Sequence, residues 1–451
     1  MDVRGKRVLV VGLGKSGIAS ALFLADQGAR VAVSDTKSQK ELHHEIPLLL
    51  DRGIVVEAGY HGERTFKEQE LIVISPGVPF DVPQLVQARQ AGIPVIGEVE
   101  LAARYLKGNL VAITGSNGKT TTTSLAGEII AAGGRKTLVG GNIGNPAINI
   151  VGSATDDTWV VLEISSFQLE TIETFRPKIA VVLNVTPDHL DRHYNFENYA
   201  AAKARIFENQ TSSDFAVLNS DDSHCVAMAG KTKAAVYWFS RLKESERGAF
   251  TREQRIIWRD GNTEQEIMPL GDISLKGAHN IENVLAGVCI GMLAGVDPAQ
   301  VRSTVSAFKA VEHRLEYVAT VRGVEYYNDS KATNVDATIK ALEAFPGNIH
   351  LILGGKDKGS DYTVLRDLLR RRVKRVYTIG AAAEKIQSET QEAVKVVPSG
   401  TIEVAIQQAA ESAEPGDVVL LAPACASFDQ FQNYEHRGRV FKQLVHGLTA
   451  G

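Results

Sequence analysis

Short apolar runs, each followed by a longer stretch with helical periodicity, recur along most of the chain. Uninterrupted runs of Val, Ile and Leu are typical of strands that are buried on both faces of a parallel sheet. The runs are RVLVVG (7–12), LIVISPG (71–77), LVAITG (110–115), WVVLEIS (159–165), IAVVLNV (179–185), HLILGG (350–355), RVYTIG (375–380) and DVVLLAP (417–423). The alternation predicts an α/β fold that is built from several doubly wound units.

Two interruptions of this rhythm divide the 451 residues into three predicted domains. The helical stretch EVELAARYLKG precedes a new strand, and we place the first boundary there. We place the second boundary near Ala310. The segment QRIIWRDGNTEQEIMPL reads as a hairpin with Asp260 and Gly261 at its turn. The predicted domains are a Rossmann-like N-terminal domain (1–97), a central domain with a parallel sheet of the P-loop ATPase type and a small β excursion (98–310), and a Rossmann-like C-terminal domain (311–451).

Composition excludes several classes of protein. The net charge of −4 gives no electrostatic reason to expect nucleic acid or a membrane surface as a partner. No apolar run approaches the roughly 20 residues that a membrane span needs. The cysteines, Cys225, Cys289 and Cys425, have neither metal-ligand nor disulfide spacing, which fits a reducing compartment. We therefore expect a cytoplasmic protein.

The first candidate phosphate loop is a glycine fingerprint near the start of the sequence. Gly12, Gly14 and Gly17 follow the strand RVLVV and precede a helical stretch, and Asp35 ends the next predicted strand. Glycines in this context allow a tight turn and close approach of the backbone to a diphosphate at a helix N-terminus. The residues alone do not distinguish NAD from another diphosphate nucleotide.

The second candidate phosphate loop is the motif TGSNGKTT, which lies between an apolar strand and a helical pattern. Gly115 and Gly118 let the loop expose backbone N–H groups, and Lys119 adds a positive charge for the β- and γ-phosphates. A hydroxyl of Thr120 or Thr121 can bind Mg²⁺. This combination predicts a nucleoside triphosphate site.

Further polar residues follow the strands of the central domain. Glu163 ends the strand WVVLE, where its carboxylate would meet a metal ion beside the loop. His189 and His193 have the spacing of a helical zinc pair, but no third ligand follows, and we expect His193 on a polar surface. From spacing alone, Lys203 is interpreted as a solvated helix lysine.

Together these motifs resemble the Mur ligase family, the ATP-dependent enzymes that add amino acids to the UDP-linked peptidoglycan precursor. TGSNGKTT, DHLDRH and HR mark the wider family, whereas SSFQL, NDSKATN and ACASFDQF point to the member that adds D-glutamate. The resemblance covers essentially the whole chain. The other matching segments are GLGKSG (12–17), SPGVP (75–79), GGNIG (140–144), YAAAKARIF (199–207), GAHNIEN (277–283), EHRLE (312–316) and GGKDKG (354–359).

The resemblance implies an ATP-dependent ligase that adds D-glutamate to UDP-N-acetylmuramoyl-L-alanine in peptidoglycan precursor synthesis. ATP phosphorylates a carboxylate of the UDP-linked substrate, and the amine of D-glutamate then attacks the acyl phosphate. The implied cofactors are ATP, two Mg²⁺ ions and a carbamylated Lys203. We expect a monomer.

The resemblance also implies the role of individual residues. Lys119, His189 and Lys203 are the implied catalytic residues, and the implied metal ligands are Thr120, Glu163, His189 and Lys203 as its carbamate. The residues implied to bind ATP are Gly115, Ser116, Asn117, Gly118, Lys119, Thr120, Thr121, Asn280, Asn283, Arg314 and Asp329. Those implied to bind the UDP-linked substrate are Lys15, Ser16, Asp35, Thr36, Ser75, Pro76, Gly77, Asn142 and Gln168. The implied D-glutamate pocket consists of Lys331, Thr333, Lys358, Ser427, Phe428 and Tyr434.

Alternative functions stay open. Another amino-acid-adding Mur ligase, or a folylpolyglutamate synthetase, would share the phosphate loops and differ in the C-terminal pocket. An NAD-dependent oxidoreductase would use only the first loop, and a P-loop switch protein would only bind and hydrolyse nucleotide. Neither of these last two explains two phosphate loops together with a third domain that carries lysines.

Overall fold

The computed structural model describes residues 1–275, 277–309 and 312–449. Its strands form three sheets, all of them mostly parallel and flanked by helices. The predicted three-domain α/β fold is therefore confirmed. Ala310, where we place the second boundary, lies outside the described residues, and the domain limits stay a prediction.

The first sheet is entirely parallel and carries the glycine fingerprint. Its strands are β1 (Arg7–Val11), β2 (Arg30–Asp35), β3 (Val55–Ala58), β4 (Leu71–Ile74) and β5 (Val95–Gly97). Its helices are α1 (Lys15–Asp26), α2 (Glu45–Leu50), α3 (Glu63–Lys67) and α4 (Pro83–Gln90). The strand order is β3-β2-β1-β4-β5, so that helix α1 begins directly after the central strand.

The second sheet has nine strands and carries the TGSNGKTT loop. Its strands are β6 (Asn109–Thr114), β7 (Thr137–Gly141), β8 (Trp159–Glu163), β9 (Ile179–Val182), β10 (Phe215–Asn219), β11 (Ala235–Ser240), β12 (Arg247–Arg252), β13 (Arg255–Asp260) and β14 (Thr263–Pro269). The order is β14-β13-β12-β11-β10-β9-β6-β8-β7. The predicted hairpin is confirmed, since Asp260 pairs with Thr263. The β excursion continues this sheet, because β12 pairs in parallel with β11.

Helices and short 3₁₀ turns connect these strands. The helices between β5 and the third sheet are α5 (Glu98–Ala103), α6 (Lys119–Ala132), α7 (Ala147–Ile150), α8 (Ser166–Leu169), α9 (Leu190–His193), α10 (Phe196–Ala204), α11 (Ser223–Met228), α12 (Ala278–Leu293) and α13 (Pro298–Ala307). The 3₁₀ turns along the chain are Val151–Ser153, Arg205–Phe207, Ala229–Lys231, Leu270–Asp272 and Thr363–Leu365.

The third sheet is parallel except for its first strand, which pairs antiparallel with the second. Its strands are β15 (Glu316–Val321), β16 (Val324–Asn328), β17 (Ile349–Gly354), β18 (Val373–Ile379), β19 (Lys395–Gly400) and β20 (Val418–Leu421), in the order β15-β16-β20-β17-β18-β19. Its helices are α14 (Val335–Glu343), α15 (Arg366–Arg372), α16 (Ala383–Thr390), α17 (Ile402–Ser412) and α18 (Tyr434–Thr449). Apolar clusters cover both faces of the sheet. Because β16, β20 and β17 are adjacent and parallel, the loops that follow these strands lie next to one another at the same edge of the sheet.

The chain forms two compact units. The first unit comprises Met1–Val185, Glu197–Pro269 and Asn283–Val305, and it contains the first two sheets. The second comprises Thr186–Phe196, Leu270–Glu282 and Ser306–Gly451, and it contains the third sheet. Within the described ranges, no helix has the length and apolar character that a membrane crossing requires.

Helix α5 connects the first two sheets through buried carboxylates. Glu100 accepts backbone hydrogen bonds from residues 173–175, each at 2.9–3.0 Å. Glu98 accepts the N–H of Ile148 at 2.7 Å through one carboxylate oxygen. The other oxygen of Glu98 is buried and has no hydrogen-bond partner within the part of the chain that the structure describes. The carboxyl group of Glu98 is therefore buried in the first unit with too few hydrogen bonds to replace the water that it loses on folding.

We predict that Glu98 makes the stability of the protein depend on pH. Burial raises the pKa of Glu98 from 4.5 to about 7, although backbone hydrogen bonds oppose the shift. The folded chain holds this proton more tightly than the unfolded chain. Protonated Glu98 therefore stabilises the folded state at low pH, and this stabilisation is lost as pH rises through about 7. Glu98→Gln keeps the acceptor for Ile148 and does not titrate. Relative to the wild type, this variant should gain about 3 kcal/mol in the free energy of unfolding as pH rises.

Urea unfolding of both proteins at about pH 5 and about pH 8 measures this difference. An unchanged difference between the two pH values would contradict the assignment.

Candidate active site

The TGSNGKTT segment forms a tight loop between β6 and the N-terminus of α6. Gly118 adopts a left-handed conformation with φ of 84°. A Cβ atom added at Gly118 would lie 2.2 Å from Oδ1 of Asn283, so that only glycine fits. Helix α6 begins at Lys119, immediately after this glycine. The first N–H groups of a helix point away from its end, and together with the helix dipole they favour an anion.

Two lysine ammonium groups meet at the first residue of this loop. Lys119 Nζ donates to the carbonyl oxygens of Gly115 at 2.8 Å and Ser116 at 2.9 Å. Lys203 Nζ, from α10, donates to the same Gly115 oxygen at 2.8 Å and lies 4.5 Å from the ring centroid of Tyr199. Lys203 is only 1% exposed, so the interpretation of a solvated helix lysine is wrong. The two like charges give the loop a positive potential that suits a polyphosphate.

A carboxylate and a hydroxyl lie beside the same loop. Thr120 Oγ1 donates to Oε2 of Glu163 at 2.6 Å, and Asn142 Nδ2 donates to Oε1 at 2.8 Å. They meet because β8, which ends at Glu163, pairs directly with β6. The hydroxyl oxygen of Thr121 is buried and without a hydrogen-bond partner among the described residues. A buried carboxylate with two hydroxyls is an oxygen donor set of the kind that Mg²⁺ prefers, and Thr120 and Glu163 fit such an ion.

The glycine fingerprint of the first sheet is held closed by two side chains. Ser75 Oγ donates to the carbonyl oxygen of Gly12 at 2.7 Å, and the N–H of Leu13 donates to Asp35 at 2.5 Å. A Cβ atom at Gly17 would lie 1.8 Å from the Gly12 oxygen, so the loop and α1 approach as closely as glycine allows. Asp35 and Ser75 thus shape the backbone that the fingerprint presents.

Part of the predicted set for the UDP-linked substrate lines one narrow crevice in the first unit. Ser75, Pro76 and Gln168 line this crevice together with Glu98, and it has no room for a water molecule. Gln168 is oriented by Ser165, whose N–H and hydroxyl both donate to its amide oxygen. The remaining members of the set do not line it. Asp35 is buried, and the others, which are exposed or half-buried, are Lys15, Ser16, Thr36, Gly77 and Asn142.

The residues predicted to bind the nucleoside are mostly buried. In the first unit, Asn283 accepts a hydrogen bond from Thr122 at 3.3 Å. In the second unit, Asn280 and Asp329 are buried, and burial raises the pKa of Asp329 to about 6 against the opposing charge of Arg314. The Nε atom of Arg314 is buried and has no hydrogen-bond partner in the described ranges. An unsatisfied guanidinium donor fits an anionic ligand.

A cavity of about 460 Å³ in the second unit brings His189 and Lys358 together. Asp188 also lines it and accepts from Lys358 Nζ at 3.3 Å, Asn334 Nδ2 at 3.0 Å and the N–H of His189 at 2.9 Å. Sequence reasoning missed Asp188 and Asn334, although Asp188 directly precedes His189 in DHLDRH. The expectation for His193 is wrong, because that side chain is buried.

The other residues of the predicted D-glutamate pocket lie after β16 and β20. Lys331 Nζ donates to the hydroxyl of Tyr434 at 3.4 Å and lies 5.2 Å from its ring centroid. Ser427 is buried, whereas Phe428 is 68% exposed. Thr333 is half-buried. The structure thus pairs each of the two predicted pocket lysines with a polar side chain of the second unit.

Comparison with known proteins gives matches along the whole chain. A model of the Mur ligase MurD-like N-terminal domain matches residues 6–97, the Mur ligase middle domain matches 113–291, and the Mur ligase glutamate ligase domain matches 313–425. UDP-N-acetylmuramoylalanine–D-glutamate ligase of Koribacter versatilis is 69% identical over 449 residues, covering 100% of this chain and 99% of that protein. The ligase of the same name from Solibacter usitatus is 52% identical over 448 residues, covering 99% of both.

Solved structures share the fold. A pseudomurein peptide ligase type C from Methanothermus fervidus superimposes with a TM-score of 0.62 at 19% identity, covering 98% of this chain and 100% of that one. MurF ligase from Thermotoga maritima, in complex with ADP, gives a TM-score of 0.60 at 17% identity, covering 99% and 96%. The family models and the end-to-end identity with these relatives establish that the chain belongs to the Mur ligase family.

Proposed function

We propose that this chain is an ATP-dependent ligase that joins D-glutamate to UDP-N-acetylmuramoyl-L-alanine in peptidoglycan precursor synthesis. The observation that carries this proposal is the 69% identity, over the full length, with a ligase named for that reaction. The proposal includes a monomeric protein in the cytoplasm. It names residues 1–97 the UDP-binding domain, 98–310 the ATP-binding domain and 311–451 the D-glutamate-binding domain. Asn142 and Gln168 of the central domain also contribute to the UDP-linked substrate site, and Arg314 and Asp329 of the C-terminal domain to the ATP site.

The proposed reaction explains why an amide-forming enzyme needs a triphosphate site. A carboxylate is a poor electrophile, so it does not condense with an amine in neutral water. Transfer of the γ-phosphoryl group from ATP to the substrate carboxylate breaks the bond to the β–γ bridging oxygen, releases ADP and gives an acyl phosphate with a good leaving group. The D-glutamate amine then attacks the acyl carbon, and phosphate departs from the tetrahedral intermediate. Lys119 and the N-terminus of α6 would stabilise the charge on the transferring phosphoryl oxygens.

The proposed metal ligands are Thr120 and Glu163 for one Mg²⁺, and His189 for a second. Bound Mg²⁺ would neutralise the phosphate oxygens during transfer. Lys203 is proposed to react with CO₂ as its neutral amine, which converts a cation into a carbamate anion. This change would remove one of the two like charges that now share the Gly115 oxygen, and it would supply metal-binding oxygens.

The proposed substrate contacts follow the charge of each ligand. Lys331 and Lys358 suit the two carboxylates of D-glutamate, with Thr333, Ser427, Phe428 and Tyr434 completing the pocket. Arg314, Asp329, Asn280 and Asn283 are proposed to hold the nucleoside and phosphates of ATP. The contacts proposed for the UDP-linked substrate are Lys15, Ser16, Asp35, Thr36, Ser75, Pro76, Gly77, Asn142 and Gln168.

Phosphate release tests the proposed function. We expect release with ATP, UDP-N-acetylmuramoyl-L-alanine and D-glutamate together, and loss of turnover when any one of them is omitted. In place of D-glutamate, L-lysine, meso-diaminopimelate and L-alanine should not support turnover. Turnover with one of these amino acids, and none with D-glutamate, would contradict the proposal in favour of another Mur ligase. Release that is independent of both substrates would favour a nucleotide switch.

The carbamate proposal predicts chemical rescue. Lys203→Ala should lose most activity, because it removes both the metal-binding group and its link to the loop, and small carboxylic acids should restore part of the rate by filling the vacated space. Lys119→Ala is the matched control. The Lys119→Ala enzyme should not use ATP, and the same acids should not restore its activity, because it lacks a cation and not an anion. A Lys203→Ala enzyme that none of the acids restores would contradict the carbamate.

A further inference from the structure

Arg437, in the first turns of α18, is a fully buried arginine with neutral partners. Its Nε donates to Ser330 Oγ at 2.9 Å, and Nη2 donates to the carbonyl oxygen of Ser330 at 2.8 Å. Nη1 and Nη2 both donate to the carbonyl oxygen of Cys425 at 3.2 Å. Its exposed fraction is 0%, and no carboxylate of the described residues forms an ion pair with it.

The guanidinium lies where three loops of the third sheet meet. Ser330 directly precedes Lys331 in the loop after β16, and Cys425 lies in the loop after β20, which leads to Ser427. The loop after β17 also reaches it, since a Cβ atom added at Gly355 would lie 3.2 Å from Nη1. Because β16, β20 and β17 are adjacent parallel strands, one planar donor group touches all three loops.

The same group connects the loops to the start of α18. Tyr434 precedes Arg437 by one helical turn, so both side chains leave the same face of the helix. The carbonyl oxygen of Tyr434 accepts from Ser330 Oγ at 2.9 Å, and its hydroxyl accepts from Lys331. Every segment that carries a residue of the proposed D-glutamate pocket is therefore in contact with Arg437 or with a direct partner of Arg437.

A buried cation whose hydrogen bonds all go to neutral groups is costly for the folded state. Burial lowers the pKa of Arg437 to about 10, with Cys425 and the exposed Asp429 opposing the shift. The guanidinium stays charged at neutral pH.

We infer that Arg437 is a positioning residue that determines affinity for the acidic amino acid. Its planar fork fixes the loops that carry Lys331, Ser427 and Lys358, the residues proposed to bind the dicarboxylate. The ligand class rests on the proposed function. Sequence reasoning missed this residue, because an arginine in an amphipathic terminal helix is normally interpreted as solvent-exposed.

Steady-state kinetics of Arg437→Lys test the inference, with Arg439→Lys as the matched control, since Arg439 lies on the same helix and is exposed. Arg437→Lys keeps the charge and loses the fork. We expect its KM for D-glutamate to rise on the order of tenfold or more, with the KM values for ATP and UDP-N-acetylmuramoyl-L-alanine nearly unchanged. Arg439→Lys should match the wild type in all three. An unchanged KM for D-glutamate, or an equal rise in all three values, would overturn the inference.

Ser330→Ala provides a second test that does not depend on how well Arg437→Lys folds. It removes the acceptor of Nε and the hydroxyl that binds Tyr434, and it should raise the KM for D-glutamate in the same direction. Thermal unfolding of each variant reports on folding separately. An unchanged KM for D-glutamate in a folded Ser330→Ala enzyme would contradict the inference. Wild-type enzyme that does not turn over with D-glutamate would instead overturn the proposed function.

Discussion

The carbonyl oxygen of Gly115 accepts hydrogen bonds from two lysine side chains, and the phosphate loop of the first unit depends on that contact. Lys119 and Lys203 bring two positive charges to a loop that also ends in the N-terminus of α6. The loop reaches this geometry only because Gly118 adopts a left-handed conformation against Asn283. A site with this much positive potential and with oxygen ligands at its side is suited to a triphosphate with its metal ion.

All three sheets bring distant residues together in the same way. Parallel strands send their loops to one edge, so residues that are distant in sequence become neighbours there. In the second sheet this pairing brings Thr120 to Glu163. In the third it brings the loops after β16, β17 and β20 to Arg437. At each edge, specific residues fix the conformation of the loops. These residues are Asp35 and Ser75 in the first sheet, Gly118 in the second and Arg437 in the third.

The strands and loops could be predicted because their signals are local. A strand buried on both faces must be continuously apolar, and a phosphate loop needs its glycines and lysine at fixed spacing. The burial of Lys203 could not be predicted from spacing, because its partner Gly115 is 88 residues away. The burial of His193 and that of Arg437, on which the sequence analysis made no prediction, are hidden for a similar reason, since helical periodicity does not show what packs over a helix. The resemblance to the Mur ligases implied a catalytic and metal-binding role for Lys203, and that role stays a prediction.

The central claim is that the loop from Gly115 to Lys119 holds a triphosphate whose terminal group is transferred to a carboxylate. A crystal structure with a non-hydrolysable ATP analogue and Mg²⁺ tests it most directly. The account predicts density for the phosphates against the backbone of this loop and the ammonium group of Lys119, with the metal ion beside Thr120 and Glu163. A saturated crystal in which the analogue binds elsewhere, and this loop makes no phosphate contact, would contradict the account.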